Sequence, residues 1–115
     1  MNEAIDVGHF SISLAVADLA RARAFYETLG FTVLDGRPEE HWLVMRNGEA
    51  KLGLFQGMFE DNLITFNPPD ARALERRLKA AGHELVAGTK TETGPCSCLA
   101  KDPDGNLVLI DQVEP

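Results

Sequence analysis

Apolar and polar residues alternate between residues 10 and 16, with Phe10, Ile12, Leu14 and Val16 on one side and Ser11, Ser13 and Ala15 on the other. A period of two is that of a half-buried β-strand. From Leu19 the period changes. Leu19, Ala22, Tyr26 and Leu29 recur at helical spacing, with Asp18 placed to cap the first turn and Gly30 to end the helix. The same succession returns downstream. Ile64 and Phe66 alternate with Leu63, Thr65 and Asn67; Asp70 then precedes Ala71, Leu74, Leu78 and Ala81, and Gly82 closes the second helix. Turn chemistry cuts out the other strands. Asn47-Gly48 is the residue pair of a tight hairpin. Asp102-Pro103-Asp104-Gly105-Asn106 joins a fixed proline φ to a glycine free to take positive φ. These signals predict strands near 31–34, 41–46 and 50–56 after the first helix, and near 84–86, 95–100 and 107–112 after the second.

The pattern is a duplication. Asp18 and Asp70, Gly30 and Gly82, and Gly36 and Gly88 each stand 52 residues apart, in the same order. Leu-Gly-Leu-Phe-Gln (52–56) matches Val-Leu-Ile-Asp-Gln (108–112) at a spacing of 56, so extra residues precede the last strand of the second copy. Each copy reads strand, helix, then three strands. The predicted class is α+β: one domain over residues 1–115, built of βαβββ modules at about 9–56 and 62–112 with a linker at 57–61.

Asp-Leu-x6-Tyr-x2-Leu-Gly-Phe (18–31), followed by Asp-Pro-Asp-Gly-Asn (102–106), resembles the glyoxalase, bleomycin-resistance and extradiol-dioxygenase group, the vicinal oxygen chelate superfamily. The resemblance spans nearly the whole chain. It implies two βαβββ modules whose curved mixed sheet encloses a cup, commonly completed by pairing two chains. It also implies four positions for ligands to a divalent metal, two per module. In this chain those positions hold Ser11, Gly53, Leu63 and Leu109. None offers a carboxylate or an imidazole, and a dication needs several such donors. His9 is a single imidazole one pleat repeat from Ser11 and does not replace four ligands. The implied protein is therefore a metal-free, cofactor-free binder of a small molecule, similar in kind to the bleomycin-resistance branch, and a homodimer. Metal-dependent glyoxalase or dioxygenase activity is not expected.

Composition adds limits. Apolar residues make up 44% of 115, enough for a core without metal or disulfide staples. A net charge of −7 without a basic run argues against nucleic acid and anionic membrane surfaces as partners; it would suit a cationic ligand. The start, MNEAIDVGHF, has no basic region or apolar run of signal length, and no window approaches the roughly 20 apolar residues of a membrane span. The two cysteines, Cys96 and Cys98, are too close for a disulfide framework, which predicts a reduced, cytoplasmic protein.

The candidate pocket comprises Ser11, Ser13, Trp42, Gly53, Phe55, Leu63, Thr65, Asn67, Cys96, Cys98, Leu109 and Asp111. Asp111 shares a row with Leu109, where an inward carboxylate would join Thr65, Asn67 and Ser13; a solvated strand end is the alternative. Trp42, the sole tryptophan, serves equally as a stacking surface or a core residue. Cys96 and Cys98 share one face of a strand, which the spacing does not identify. As small buried side chains they are inert; as thiols served by His9 or His41 they would allow a metal-independent enzyme. A third reading is a protein-interaction module using Trp42 and the apolar stretch Phe-Gln-Gly-Met-Phe (55–59). Asp18, Asp102 and Asp104 are read as cap and turn formers.

Overall fold

A computed structural model of the chain describes residues 5–115; what the sequence reading drew from residues 1–4 lies outside them. The elements run β1 (His9–Val16), α1 (Leu19–Thr28), β2 (Thr32–Arg37), β3 (Trp42–Asn47), β4 (Ala50–Gln56), β5 (Leu63–Asn67), α2 (Ala71–Ala80), β6 (Leu85–Ala87), β7 (Cys96–Lys101) and β8 (Leu107–Gln112). The order βαβββ thus occurs twice, and the class is α+β. Strands take the same spatial order in each copy, β2-β3-β4-β1 and β6-β7-β8-β5. β1 runs parallel to β4, whereas the β2–β3, β3–β4, β6–β7 and β7–β8 pairs are antiparallel. The parallel pair needs a crossover, which α1 begins.

The chain divides into two compact units, Ser11–Leu63, and Ile64–Pro115 with the described residues up to Phe10. In the first, Leu19 of α1 packs on Leu43, Met45 and Leu54, flanked by Leu14, Val16, Ala22, Tyr26 and Phe31. In the second, Ala71 and Leu74 of α2 pack on Cys98 and Ile110. Both cores are the sandwich of one amphipathic helix against one sheet face that the two periodicities require.

Helix starts show what the repeat preserves. Four N–H groups at the start of an α-helix lack partners within it. Asp18 accepts from the Arg21 amide at 3.1 Å, and Asp70 from the Ala73 amide at 3.1 Å. A second acceptor comes from the sheet: Gln56 Oε1 takes the Leu19 amide at 2.8 Å, and Gln112 Oε1 the Ala71 amide at 2.9 Å. Both glutamines close the last strand of their copy. Gln112→Ala is expected to cost about 1–3 kcal/mol, because it strands the buried Ala71 amide. Urea unfolding checks this, and a cost near zero would show that the cap is dispensable.

Gly30 and Gly82 end the helices at φ +95° and +88°, the left-handed conformation their position predicts. Two details differ from the sequence reading. β2 continues to Arg37 through a bulge between Val33 and Asp35, so Gly36 lies within a strand and not after one. Leu29 is 57% exposed, outside the apolar stripe, because it already occupies the C-cap. The connection after β6 is tied to α2. Arg72 donates to the Thr91 and Gly94 carbonyls and to Thr91 Oγ1, at 3.0, 3.1 and 2.9 Å. Glu75 accepts from the Thr89 amide and hydroxyl at 2.7 and 2.8 Å.

Candidate functional site

The sheet of the first unit has α1 on one face, over Leu43, Met45 and Leu54. Strand register fixes what the other face presents. Ser13 pairs with Gly53 across β1 and β4, Val44 with Gly53 and Trp42 with Phe55 across β3 and β4. Since paired side chains lie on the same side, Ser11, Ser13, Trp42, Val44, Gly53 and Phe55 share this face. Trp42 and Phe55 are stacked, their ring centroids 6.4 Å apart and their planes within 8°. Phe59 returns from the connection after β4 and meets Phe55 at 5.2 Å, tilted by 48°. Of the apolar stretch 55–59, Met58 is left 51% exposed.

The position of Gly53 explains its identity. A Cβ there would lie 2.5 Å from Phe55 Cε2 and 3.1 Å from Cζ, so the Phe55 ring occupies the space of a side chain at 53. Ser11 and Ser13 are 8% and 6% exposed, buried hydroxyls in a largely apolar row.

In the second unit, Ser97 pairs with Asp111 and Leu99 with Leu109, on the face away from α2. Thr65 and Asn67 alternate with Phe66, whose ring stands on the α2 side with Leu74 and Leu78. Asn67 Nδ2 donates to the Asp111 carbonyl at 2.9 Å. Asp111 is half-buried, and burial raises its carboxyl above the ordinary aspartate value.

Cys96 and Cys98 do not belong to this row. Cys98 pairs with Ile110 and Cys96 with Gln112, which places both under α2 with Leu74 and Ala71. Their shared face was fixed by the period of two, but which face was set by the register with β8. Burial first, and then the Glu75 carboxylate, push the Cys98 thiol up to about 11. The thiolate is the nucleophile, so Cys98 is unsuited to covalent chemistry at neutral pH. Cys96 Sγ donates to Gln112 Oε1 at 3.8 Å, and His9 is exposed at the start of β1. Asp102 is a turn former, as its place predicts. Its Oδ1 accepts from the Asp104 and Asn106 amides at 2.9 Å and its Oδ2 from Asn106 Nδ2 at 2.8 Å, and these bonds hold its carboxyl below the ordinary value.

Residues 7–110 match the model of the Glyoxalase/Bleomycin resistance protein/Dioxygenase superfamily. The chain belongs to this superfamily. Solved structures agree on the fold. A glyoxalase/bleomycin resistance protein/dioxygenase superfamily member from Vibrio splendidus 12B01 is 19% identical at a TM-score of 0.70, covering 90% of this chain and 97% of its own. Methylmalonyl-CoA epimerase from Mycobacterium tuberculosis is 18% identical at 0.69, covering 100% and 93%. The Mn(II)-bound glyoxalase from Novosphingobium aromaticivorans is 16% identical at 0.64, covering 97% of this chain and 42% of its own. No curated protein matches at a significant level.

For a glyoxalase-superfamily chain the donors are the first question. Ser11, Gly53 and Leu63 belong to the first unit and Leu109 to the second; none supplies a hard or borderline anionic ligand. Among the described residues, no group of three or more His, Cys, Asp or Glu could share a metal ion. The residues present do not fit the superfamily's metal.

Three features of the molecule escaped the sequence reading. The glutamine caps were visible as a repeated residue but not as acceptors. The membership of Val44 in the aromatic face follows from the register alone. A cavity of about 310 Å³ on the α2 side of the second unit, with Phe66, Leu78 and Val108 in its walls, had no sequence signal.

Proposed function

We propose that this protein is a metal-free, small-molecule-binding member of the glyoxalase/bleomycin resistance/dioxygenase superfamily, with its ligand held against Trp42, Phe55 and Phe59. The Phe55 ring over Gly53 carries the reading: a stacking surface stands where the superfamily resemblance implies a metal carboxylate. The stacked pair offers an aromatic face, and an aromatic ligand gains about 0.5–1.5 kcal/mol per ring contact beyond its buried area. Ser11 and Ser13 supply neighbouring hydroxyls that orient a polar group. The same reading places the protein in a reducing compartment as a homodimer, the arrangement that completes the binding face of such relatives.

A thermal-shift screen of planar aromatic compounds, read together with Trp42 fluorescence, tests it. A ligand raises the unfolding temperature by mass action and quenches Trp42. Trp42→Ala abolishes the shift, and Zn²⁺, Mn²⁺ or Ni²⁺ at equal concentration produces none. One tightly bound divalent ion per chain by elemental analysis refutes the metal-free reading. A monomer at tens of micromolar by gel filtration refutes the dimer.

A further inference from the structure

We propose that the cavity on the α2 side of the second unit is a separate ligand site, built for an amphipathic carboxylate with an apolar tail. It does not depend on the aromatic face. Its volume of about 310 Å³ lies at the lower end of the range for ligand pockets, roughly 300–1,000 Å³. Leu74, Ala100 and Ile110 form a closed floor, each less than 10% exposed, and Val108 and Phe66 continue the wall. Such walls favour a hydrocarbon body, at about 25 cal/mol per Å² removed from water. Ile110 points into this cavity while its neighbour Leu109 points to the opposite face, so the sheet itself separates the site from the row that contains Asp111.

The rim sets the head group. Arg77, His83 and Lys101 border the cavity, with Asp102 as its one acid. The Asp102 carboxylate is already engaged by the amides of its own turn and by Asn106. Lys101 enters no ion pair among the described residues. A chain of net charge −7 thus places Arg77 and Lys101, against the single carboxylate of Asp102, at the mouth of an apolar chamber. A neutral hydrocarbon leaves the Lys101 ammonium without a counter-charge, and a cationic amphiphile meets repulsion from it. A single carboxylate on an apolar tail satisfies both regions, since charge complementarity at a rim directs both specificity and encounter.

The test uses the full chain with decanoate and 1-decanol as probes, followed by calorimetry and thermal unfolding. Decanoate is expected to bind once per chain, decanol more weakly, and Trp42 emission to stay constant. Lys101→Glu, a surface change that leaves the walls intact, is expected to weaken decanoate binding about tenfold. Ala100→Phe fills the chamber and is expected to abolish binding; should that variant not fold, Lys101→Glu and the decanol comparison decide. Equal affinity for decanol and decanoate, or unchanged affinity in Lys101→Glu, overturns the proposal. So does quenching of Trp42 by decanoate, which assigns the ligand to the aromatic face and leaves the proposed function standing. Absence of decanoate binding also overturns it.

Discussion

Leu54→Ala is expected to lower folding stability by about 2–5 kcal/mol, the range for removing a fully enclosed leucine. Leu54 is 0% exposed and sits between Leu14 and Leu43 across its two strand neighbours. Its flanking residues, Gly53 and Phe55, are the ones that present the aromatic face. A cavity behind β4 thus acts on the site from the far side of the sheet. Urea unfolding is expected to show a lower midpoint with an unchanged slope. Trp42 emission in the folded variant is expected to shift as Phe55 loses its backing. A cost below about 1 kcal/mol would mean that the first unit collapses around the void, and that the stack is held by the rings alone.

The second large effect belongs to Glu75. Glu75→Ala is expected to cost about 1.5–3 kcal/mol at neutral pH, because Glu75 is 9% exposed and its charge serves the Thr89 amide and hydroxyl. The amide bond is the first cause that holds its carboxyl below the ordinary value; the hydroxyl, Lys79 and Arg72 act in the same direction, against burial. A folded pKa below the unfolded one gives stability that is complete above about 4.3, the unperturbed glutamate value, and lost as pH falls through the folded pKa. Asp111 has the opposite sign. Burial raises its folded pKa, so its contribution is present at low pH and is lost as pH rises through that pKa. Unfolding series from neutral pH down into the acid range separate the two. Glu75→Gln is expected to flatten the acid limb, while Asp111→Asn raises stability at neutral pH. An unchanged acid limb in Glu75→Gln would show that another carboxylate governs acid unfolding.

Fold and site were legible to different depths. Strand and helix periods, the aspartate caps and the glycine stops place β1, β5 and both helices, and turn chemistry places the other strands, because each is a local property of backbone and side-chain geometry. The duplication then orders them. The strand β2 was read short, since Gly36 looks like a terminator and a bulge is invisible without its partner strand. The aromatic face was half legible. Alternation put Ser11 and Ser13 together, but the approach of Phe59 to Phe55 depends on how residues 57–62 turn back. Cys96 and Cys98 show the limit most clearly. Alternation states that two residues share a face, and only pairing with Ile110 and Gln112 states which one. Glu75 was not singled out either, because its partner Thr89 lies beyond α2 in a loop of unpatterned sequence.

The ring over Gly53 also limits what position 53 can accept. A glutamate placed at 53 would collide with Phe55 unless that ring first swung away. Positions 53 and 55 are therefore coupled: whatever side chain stands at 53 is decided together with where the Phe55 ring lies, and the stack with Trp42 moves with both.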